Sequence, residues 1–185
     1  CLIGNRPLDA HFEGLEQLGA AVKKTNEGYR LTRRALKAGT VVLREASVTA
    51  TENILMLASG IDGMTRIKNA AYEPHVQDLA LFLQEMGAKI VGAGTHTLVI
   101  DGVSQLRGAD HTVSPDQIEV GTFAVASAVT GGDVLITNIV ADHVDLVRSK
   151  LHQIGVKTEL TDHSLRVTAS FPLRSFRLQT FPTSA

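Results

Sequence analysis

The sequence predicts an α/β fold built from repeated βαβαββ units. Three amphipathic helical segments end in glycine, at Gly19, Gly87 and Gly155, and these glycines are spaced by 68 residues both from 19 to 87 and from 87 to 155. Short strand-like runs follow each glycine. Between the repeats lie two helical segments made almost wholly of small and apolar residues, at 51–58 and 122–129.

The three amphipathic segments share one apolar stripe. Their apolar positions recur at i, i+7 and i+10, which places them on one helix face. They are Leu8, Leu15 and Leu18 in the first copy, Val76, Leu83 and Met86 in the second, and Val144, Leu151 and Ile154 in the third. Pro7 and Pro74 are typical of a first helical turn, Asp142 is predicted to cap the third helix, and the glycines are predicted to end each helix in a left-handed conformation.

Two strand pairs are well marked. After the second glycine they are predicted at 89–91 and 97–100, and after the third at 157–160 and 164–167. Polar or glycine-rich turns separate the strands of each pair, as in a hairpin. Gly92-Ala93-Gly94 is therefore a turn between strands and not a dinucleotide-binding loop, which must open a helix.

The helices at 51–58 and 122–129 are predicted to be buried on most sides, because they carry small or apolar residues nearly all round. Each leads through glycine into a strand that ends in asparagine, at 65–69 and 134–138. Together with the amphipathic helices and strand pairs, these elements complete the repeat.

Composition excludes several classes of function. The 185 residues include 18 basic and 19 acidic side chains in mixed order, which gives no support for a nucleic-acid or membrane-surface partner. No apolar run approaches the roughly 20 residues of a membrane span. The single cysteine fits a reducing compartment, so a cytoplasmic protein is expected. The histidine spacings match no metal motif, and neither a metal nor another cofactor is predicted.

Four motifs carry a family resemblance. Residues 1–11 read Cys-Leu-Ile-Gly-Asn-Arg-Pro-Leu-Asp-Ala-His, residues 68–74 read Lys-Asn-Ala-Ala-Tyr-Glu-Pro, residues 86–90 read Met-Gly-Ala-Lys-Ile, and residues 115–123 read Pro-Asp-Gln-Ile-Glu-Val-Gly-Thr-Phe. The chain thereby resembles the UDP-N-acetylglucosamine 1-carboxyvinyltransferase family of enolpyruvyl transferases. The resemblance covers essentially the whole chain and weakens after about Ala169.

The resemblance implies an architecture of two domains, each an inside-out barrel of three βαβαββ units with helices inside and sheets outside. Residues 1–114 would form the last two units of the first domain, and residues 115–185 an incomplete part of the second. Because such units bury their helices against one another, self-association of the chain is expected.

The resemblance also implies a reaction. The family transfers the enolpyruvyl group of phosphoenolpyruvate to the 3-hydroxyl of UDP-N-acetylglucosamine with release of phosphate, a step of peptidoglycan synthesis. Cys1 matches the catalytic cysteine that acts as an acid and is alkylated by fosfomycin, and Arg6 on the same loop would lower its pKa. Composition alone would favour a lone cysteine packed as a small apolar residue.

Two segments match the family's sugar-nucleotide contacts. The first is Arg6, Pro7, Leu8, Asp9 and Ala10, and the second is Glu45, Ala46, Ser47 and Val48, which precedes a helix. Arginine suits phosphate recognition, and a helix start binds phosphate through its N–H groups. Asp9 as an ordinary first-turn residue and Ser47 as a helix cap are the alternatives. Glu45 replaces a lysine of the family and Thr49 a glycine, which weakens the expectation of nucleotide binding.

Two other functions stay open. A 5-enolpyruvylshikimate 3-phosphate synthase-like enzyme is disfavoured by the cysteine loop, and a divergent non-catalytic sugar-nucleotide-binding relative is favoured by Glu45 and Thr49. The isolated chain is expected to be inactive, because the family's base, an aspartate, aligns beyond Ala185. In an alternative alignment, residues 181–184 are that motif with Ser184 in place of the aspartate.

Overall fold

The computed structural model describes residues 7–177. These residues divide into two compact units, the first ending at Thr112 and the second beginning at Val113. Each unit is described separately below.

The first unit contains three helices and six strands. Its elements in chain order are α1 (Asp9–Gln17), β1 (Ala20–Thr25), β2 (Gly28–Arg33), β3 (Thr40–Val42), α2 (Val48–Ser59), β4 (Gly63–Lys68), α3 (Pro74–Glu85), β5 (Lys89–Val91) and β6 (Thr97–Gly102). Strands β1 and β2 form an antiparallel hairpin. The other strands form a sheet in the order β3-β4-β6-β5, in which β3 and β4 are parallel and the other neighbours antiparallel.

Helix α2 lies at the centre of the first unit. It packs against α1, α3, β4 and β6. Ile54 and Leu55 on α2 are fully buried, as are Ile67 on β4 and Leu98 and Ile100 on β6. The apolar helix predicted at 51–58 is therefore a core helix, because neighbours cover it on several sides.

The second unit is a smaller helix-and-sheet layer. It contains α4 (Gln117–Thr130), β7 (Asp133–Thr137), a short 3₁₀ turn (Ala141–His143), α5 (Asp145–Gln153), β8 (Lys157–Leu160) and β9 (Ser164–Thr168). The strands form an antiparallel sheet in the order β7-β9-β8. Arg166 on β9 donates two hydrogen bonds to Asp133 on β7, at 2.9 and 2.7 Å.

Both predicted strand pairs are confirmed, and so are the glycine helix ends. Gly19, Gly87 and Gly155 have φ of 94°, 115° and 94°, in the region that favours glycine. Asn69 and Asn138, which follow β4 and β7, also have positive φ, of 56° and 57°. Asparagine tolerates this conformation better than most non-glycine residues, so the same kind of turn follows both strands.

Three predictions were wrong. Pro7 does not lie in a first helical turn, because α1 begins at Asp9 after the N-cap residue Leu8. Asp142 does not cap α5: it lies in the 3₁₀ turn, and α5 begins at Asp145 after Val144, with no side-chain cap bond. Helix α4 is not buried on most sides, since Ile118, Phe123 and Val129 are 67%, 56% and 62% exposed. Within its own unit α4 packs against β7, β9 and α5, which cover one face.

The mixed α/β class is confirmed. None of the three sheets formed by residues 7–177 closes into a barrel. Every helix in the same range is too short or too polar to cross a membrane.

Candidate functional site

The cysteine-loop segment is described from Pro7 onward, and Cys1 and Arg6 lie outside the described residues. Pro7 and Leu8 are exposed ahead of α1, and Asp9 is the exposed first residue of that helix. Ala10 is buried at 4% exposure. A ligand at this helix start would therefore meet the Asp9 carboxylate, whereas the Ala10 side chain belongs to the core.

The second predicted segment forms the turn between β3 and α2. The backbone N–H of Ser47 donates to the carbonyl of Glu45 at 2.8 Å, which makes the turn tight. Ser47 is 2% exposed and caps α2: its Oγ accepts a hydrogen bond from the N–H of Ala50 at 3.3 Å. The alternative interpretation of Ser47 as a helix cap is thus confirmed, and it leaves the hydroxyl proton for another acceptor. Glu45, Ala46 and Val48 are half-buried around it.

The two segments, distant in sequence, lie side by side. Arg44, directly before the turn, forms ion pairs with Asp9 at 3.8 Å and with Glu13 at 3.4 Å, both on α1. All three side chains are about half exposed, so each pair contributes little to stability. The contacts nevertheless place the start of α1 next to the start of α2, as a shared ligand site requires.

His11 on α1 also joins the same two helices. Its Nδ1 is 2.7 Å from Nδ2 of Asn53 and its Nε2 is 3.2 Å from Oγ1 of Thr49. With the asparagine amide as donor, Nδ1 is the acceptor, so Nε2 carries the proton and donates to Thr49. Burial lowers the pKa of His11, which agrees with this neutral form. Thr49, which stands where the resemblance has glycine, is therefore part of the link between α1 and α2.

A third segment, residues 69–74 between β4 and α3, completes this edge of the sheet. The N–H of Ala71 donates to Oγ1 of Thr51 at 3.0 Å, and Asn69 donates from its side chain to the carbonyl of Leu43 at 3.1 Å. Because β3 and β4 are parallel, the loops that follow them meet at one edge. Residues 68–74 carry one of the family motifs, but the motif does not by itself predict that they lie at the site. The signal in the sequence is the asparagine that follows β4.

The charges around this edge are mostly acidic. Burial raises the pKa of Glu52 on α2, while the nearby His75 lowers it and Glu73 raises it. Glu45 lies at the start of α2, where the partial positive charge of the helix favours an anion. That preference holds for a ligand phosphate as well as for a carboxylate, so Glu45 competes with an anionic ligand at this place.

The arrangement supplies backbone donors at the start of α2 and one nearby guanidinium, Arg44, partly neutralised by its two carboxylate neighbours. It is suited to weak recognition of an anion. Among residues 7–177, no group of three or more histidine, cysteine or acidic side chains is arranged to hold a metal. A cleft of about 580 Å³ lined in part by Arg33, Lys37 and Asp62 lies at the opposite end of α2 and shares no residue with the predicted segments.

Two bacterial proteins share a large part of this sequence. The chain is 48% identical over 183 residues to UDP-N-acetylglucosamine 1-carboxyvinyltransferase 1 of Caldanaerobacter subterraneus subsp. tengcongensis, a match that covers 98% of the chain and 44% of that protein. It is 45% identical over 183 residues to the protein of the same name from Halalkalibacterium halodurans, covering 98% of the chain and 42% of that protein. The chain therefore spans less than half the length of these relatives.

Solved structures share the fold. The enolpyruvyl transferase NikO from Streptomyces tendae matches 92% of the chain with a TM-score of 0.78 and 24% identity, over 44% of its own length. EPSP synthase from Acinetobacter baumannii matches 94% of the chain with a TM-score of 0.65 and 22% identity, over 42% of its length. The family model described as EPSP synthase (3-phosphoshikimate 1-carboxyvinyltransferase) matches residues 1–185. The whole chain, and not one motif alone, therefore belongs to the EPSP synthase family.

Proposed function

We propose that this chain is part of a carboxyvinyl transferase that moves the enolpyruvyl group of phosphoenolpyruvate to the 3-hydroxyl of UDP-N-acetylglucosamine, with release of phosphate. The observation that carries the proposal is the 48% and 45% identity, over 183 residues, to two proteins named for that activity. The meeting of the starts of α1 and α2 supports it, because one sugar nucleotide has to reach both predicted segments.

In this proposal the residues divide the work. Cys1 delivers a proton to the vinyl carbon, and Arg6 supports the acidity of that thiol and pairs with phosphate. Pro7, Leu8, Asp9 and Ala10 contact the nucleotide along the start of α1. Glu45, Ala46, Ser47 and Val48 form the turn that presents the start of α2 to the diphosphate through backbone N–H groups; the N–H of Ser47 is bonded within the turn and is not one of them.

The domain assignment belongs to the same proposal. Residues 1–114 correspond to units of the family's first domain and residues 115–185 to part of its second. The exposed apolar side chains of α4 support self-association of the isolated chain, since large exposed apolar patches mark interaction sites. A cytoplasmic location rests on the single cysteine.

A second candidate is a non-catalytic protein that binds a sugar nucleotide. Glu45 favours it, because a carboxylate at the start of α2 opposes a diphosphate there. Thr49 supports this candidate less strongly, because its hydroxyl bonds to His11. This contact gives Thr49 a structural role that is independent of ligand binding. A shikimate 3-phosphate acceptor, suggested by the name of the family model, finds no support in the cysteine loop.

Ligand binding tests the proposed site. The ¹⁵N-labelled chain is titrated with UDP-N-acetylglucosamine and, as controls, with uridine and with N-acetylglucosamine. We expect saturable shifts of the amides of Asp9, Ala10 and residues 45–48 with the sugar nucleotide, and weaker effects with either half. Shifts confined to other regions, or none at millimolar concentration, would refute the assignment of the site.

A further inference from the structure

The segment that leaves the first unit, residues 107–112, is fastened along helix α3. The backbone N–H of Arg107 donates to the carbonyl of Met86 at 2.9 Å, and its side-chain Nε donates to the carbonyl of Glu85 at 3.1 Å. The last carbonyls of a helix have no partner within the helix, and a guanidinium is favoured at this negative end of the dipole. Arg107 therefore anchors the beginning of the segment.

His111 anchors the other end, between two carboxylates. Its Nδ1 is 3.1 Å from Oε2 of Glu85 and its Nε2 is 3.3 Å from Oδ1 of Asp78. The imidazole ring also packs on the ring of Phe82, with centroids 5.2 Å apart and planes at 33°. Asp78, Phe82 and Glu85 stand at i, i+4 and i+7 on α3, so a single helix face forms the seat for the ring.

The seat is largely closed to solvent. The side chains of His111 and Asp78 are 12% and 14% exposed, and that of Glu85 is 47% exposed. The Nε2 atom is buried, and although it lies within ion-pair distance of Asp78 it has no well-aligned hydrogen bond. Contact with Asp78 is thus mainly an attraction between charges, whereas the contact with Glu85 is a hydrogen bond.

This geometry favours a ring with protons on both nitrogens. A neutral imidazole has one N–H, so its other nitrogen would direct a lone pair at a carboxylate oxygen. Only the imidazolium is attracted to Asp78 and Glu85 together. We propose that His111 is a proton-dependent clasp, which holds residues 107–112 against α3 when it is charged and releases them when it is neutral.

The charged surroundings agree with the direction of this switch. Burial acts to lower the pKa of His111, but the hydrogen bond with Glu85, the interaction with Asp78 and the charges of both carboxylates outweigh it and raise the pKa above its usual 6.5. On its own segment the neighbouring charged groups are Arg107 and Asp110. Because the folded pKa is raised, the clasp stabilises the fold fully below about pH 6.5 and is lost as pH rises through the folded value.

The test is a pH titration of the whole chain by NMR. The Cε1–H resonance of His111, assigned by its loss in His111→Gln, gives the pKa. Amide hydrogen exchange gives, at each pH, the protection of the Arg107 N–H, which donates to the carbonyl of Met86. Each unit by which the pKa is raised corresponds to about a tenfold change in the equilibrium that holds the segment. We expect a pKa above 6.5 and protection factors that fall as His111 loses its proton.

Variants separate the clasp from simple packing. Asp78→Asn and Glu85→Gln should each lower the pKa of His111 and weaken protection at acidic pH. Asp101→Asn, which removes the exposed ion pair with Lys89, should change neither. A pKa of His111 at or below 6.5, or a protection factor of the Arg107 N–H that does not depend on pH, overturns the proposal. The titration of the unsubstituted chain tests the proposal even where a variant does not fold.

Discussion

The side chain of Thr51 ties two loops of the candidate site together, and its replacement by valine has a predictable cost. Thr51 is fully buried; its Oγ1 donates to the carbonyl of Ser47 at 2.6 Å and accepts from the N–H of Ala71 at 3.0 Å. Valine keeps nearly the same shape and removes both bonds.

The magnitude follows from what each former partner retains. The carbonyl of Ser47 still accepts from the backbone N–H of Thr51 at 2.9 Å, so its loss is one ordinary hydrogen bond, about 0.5–1.5 kcal/mol. Ala71 is 1% exposed, and its N–H is left buried without this acceptor, at about 1–3 kcal/mol. Since the added methyl group is buried and offsets part of the loss, we expect a net destabilisation of about 2 kcal/mol.

Tyrosine fluorescence during urea unfolding measures this change in the first unit alone. The chain has two tyrosines and no tryptophan, and Tyr29 and Tyr72 both lie before residue 112. With a slope of roughly 2 kcal/mol per molar urea, the midpoint should fall by about 1 M.

The matched control is Thr32→Val on the exposed strand β2, where the hydroxyl makes one long bond of 3.4 Å. We expect its stability to stay within about 0.5 kcal/mol of the unsubstituted chain. If Thr51→Val has no larger effect than Thr32→Val, the reasoning about the buried link is refuted.

Three further predictions concern other parts of the chain. Glu45→Lys should tighten binding of UDP-N-acetylglucosamine about tenfold, or roughly 1.4 kcal/mol, in a calorimetric titration. Glu27→Lys makes the same charge change on the hairpin turn and should leave the affinity unchanged. Equal effects of the two variants would indicate non-specific attraction. Gly102→Ala should destabilise the first unit by about 1–3 kcal/mol, because the added Cβ would meet two backbone carbonyl oxygens. A Cβ at Gly39 would meet no neighbouring atom, so Gly39→Ala should leave the urea midpoint, measured by tyrosine fluorescence, unchanged. The pKa of the Asp133 carboxyl should lie below its usual 3.8 in a ¹³C NMR titration, chiefly because Arg166 donates hydrogen bonds to it. The pair then stabilises the fold above about pH 3.8, and this stabilisation is lost as pH falls through the lowered pKa. A measured pKa at or above 3.8 would contradict the prediction.

Periodicity in the sequence was enough to predict most elements. The glycines at 19, 87 and 155 end their helices by adopting a positive φ. Because this conformation depends on the residue type itself, it can be predicted from the sequence. The strand pairs follow from alternation and turn composition in the same way. Asp142 shows the limit of such reasoning, because the 3₁₀ turn at Ala141–His143 moves the helix start beyond it.

Burial was harder to predict than element type. The helices α2 and α4 have similar composition, yet Ile54 is fully buried and Phe123 is 56% exposed. The difference lies in the neighbours: α2 has α1 and α3 against it, while α4 packs on the sheet and α5 of its own unit. The composition of a helix gives the apolar surface that it could bury, whereas the neighbouring elements determine how much of that surface is buried.

The candidate site was predicted in part. The segments at 7–10 and 45–48 were found from motifs, but their proximity through Arg44 and His11 joins residues about 35–40 positions apart, which no local pattern encodes. The seat of His111 on α3 was missed for the same reason, since a histidine in a loop gives no sign of the carboxylates that it will meet.

The central proposal is that this chain supplies part of the active site of a carboxyvinyl transferase that acts on a UDP-amino sugar. Its most direct test replaces the matched segment of the Caldanaerobacter relative with the present sequence and measures phosphate release from phosphoenolpyruvate, with UDP-N-acetylglucosamine or shikimate 3-phosphate as acceptor. We predict release with the sugar nucleotide, none with shikimate 3-phosphate, and loss of activity in Cys1→Ala. A hybrid that unfolds cooperatively but binds the sugar nucleotide without releasing phosphate would contradict the claim and favour the non-catalytic binding protein.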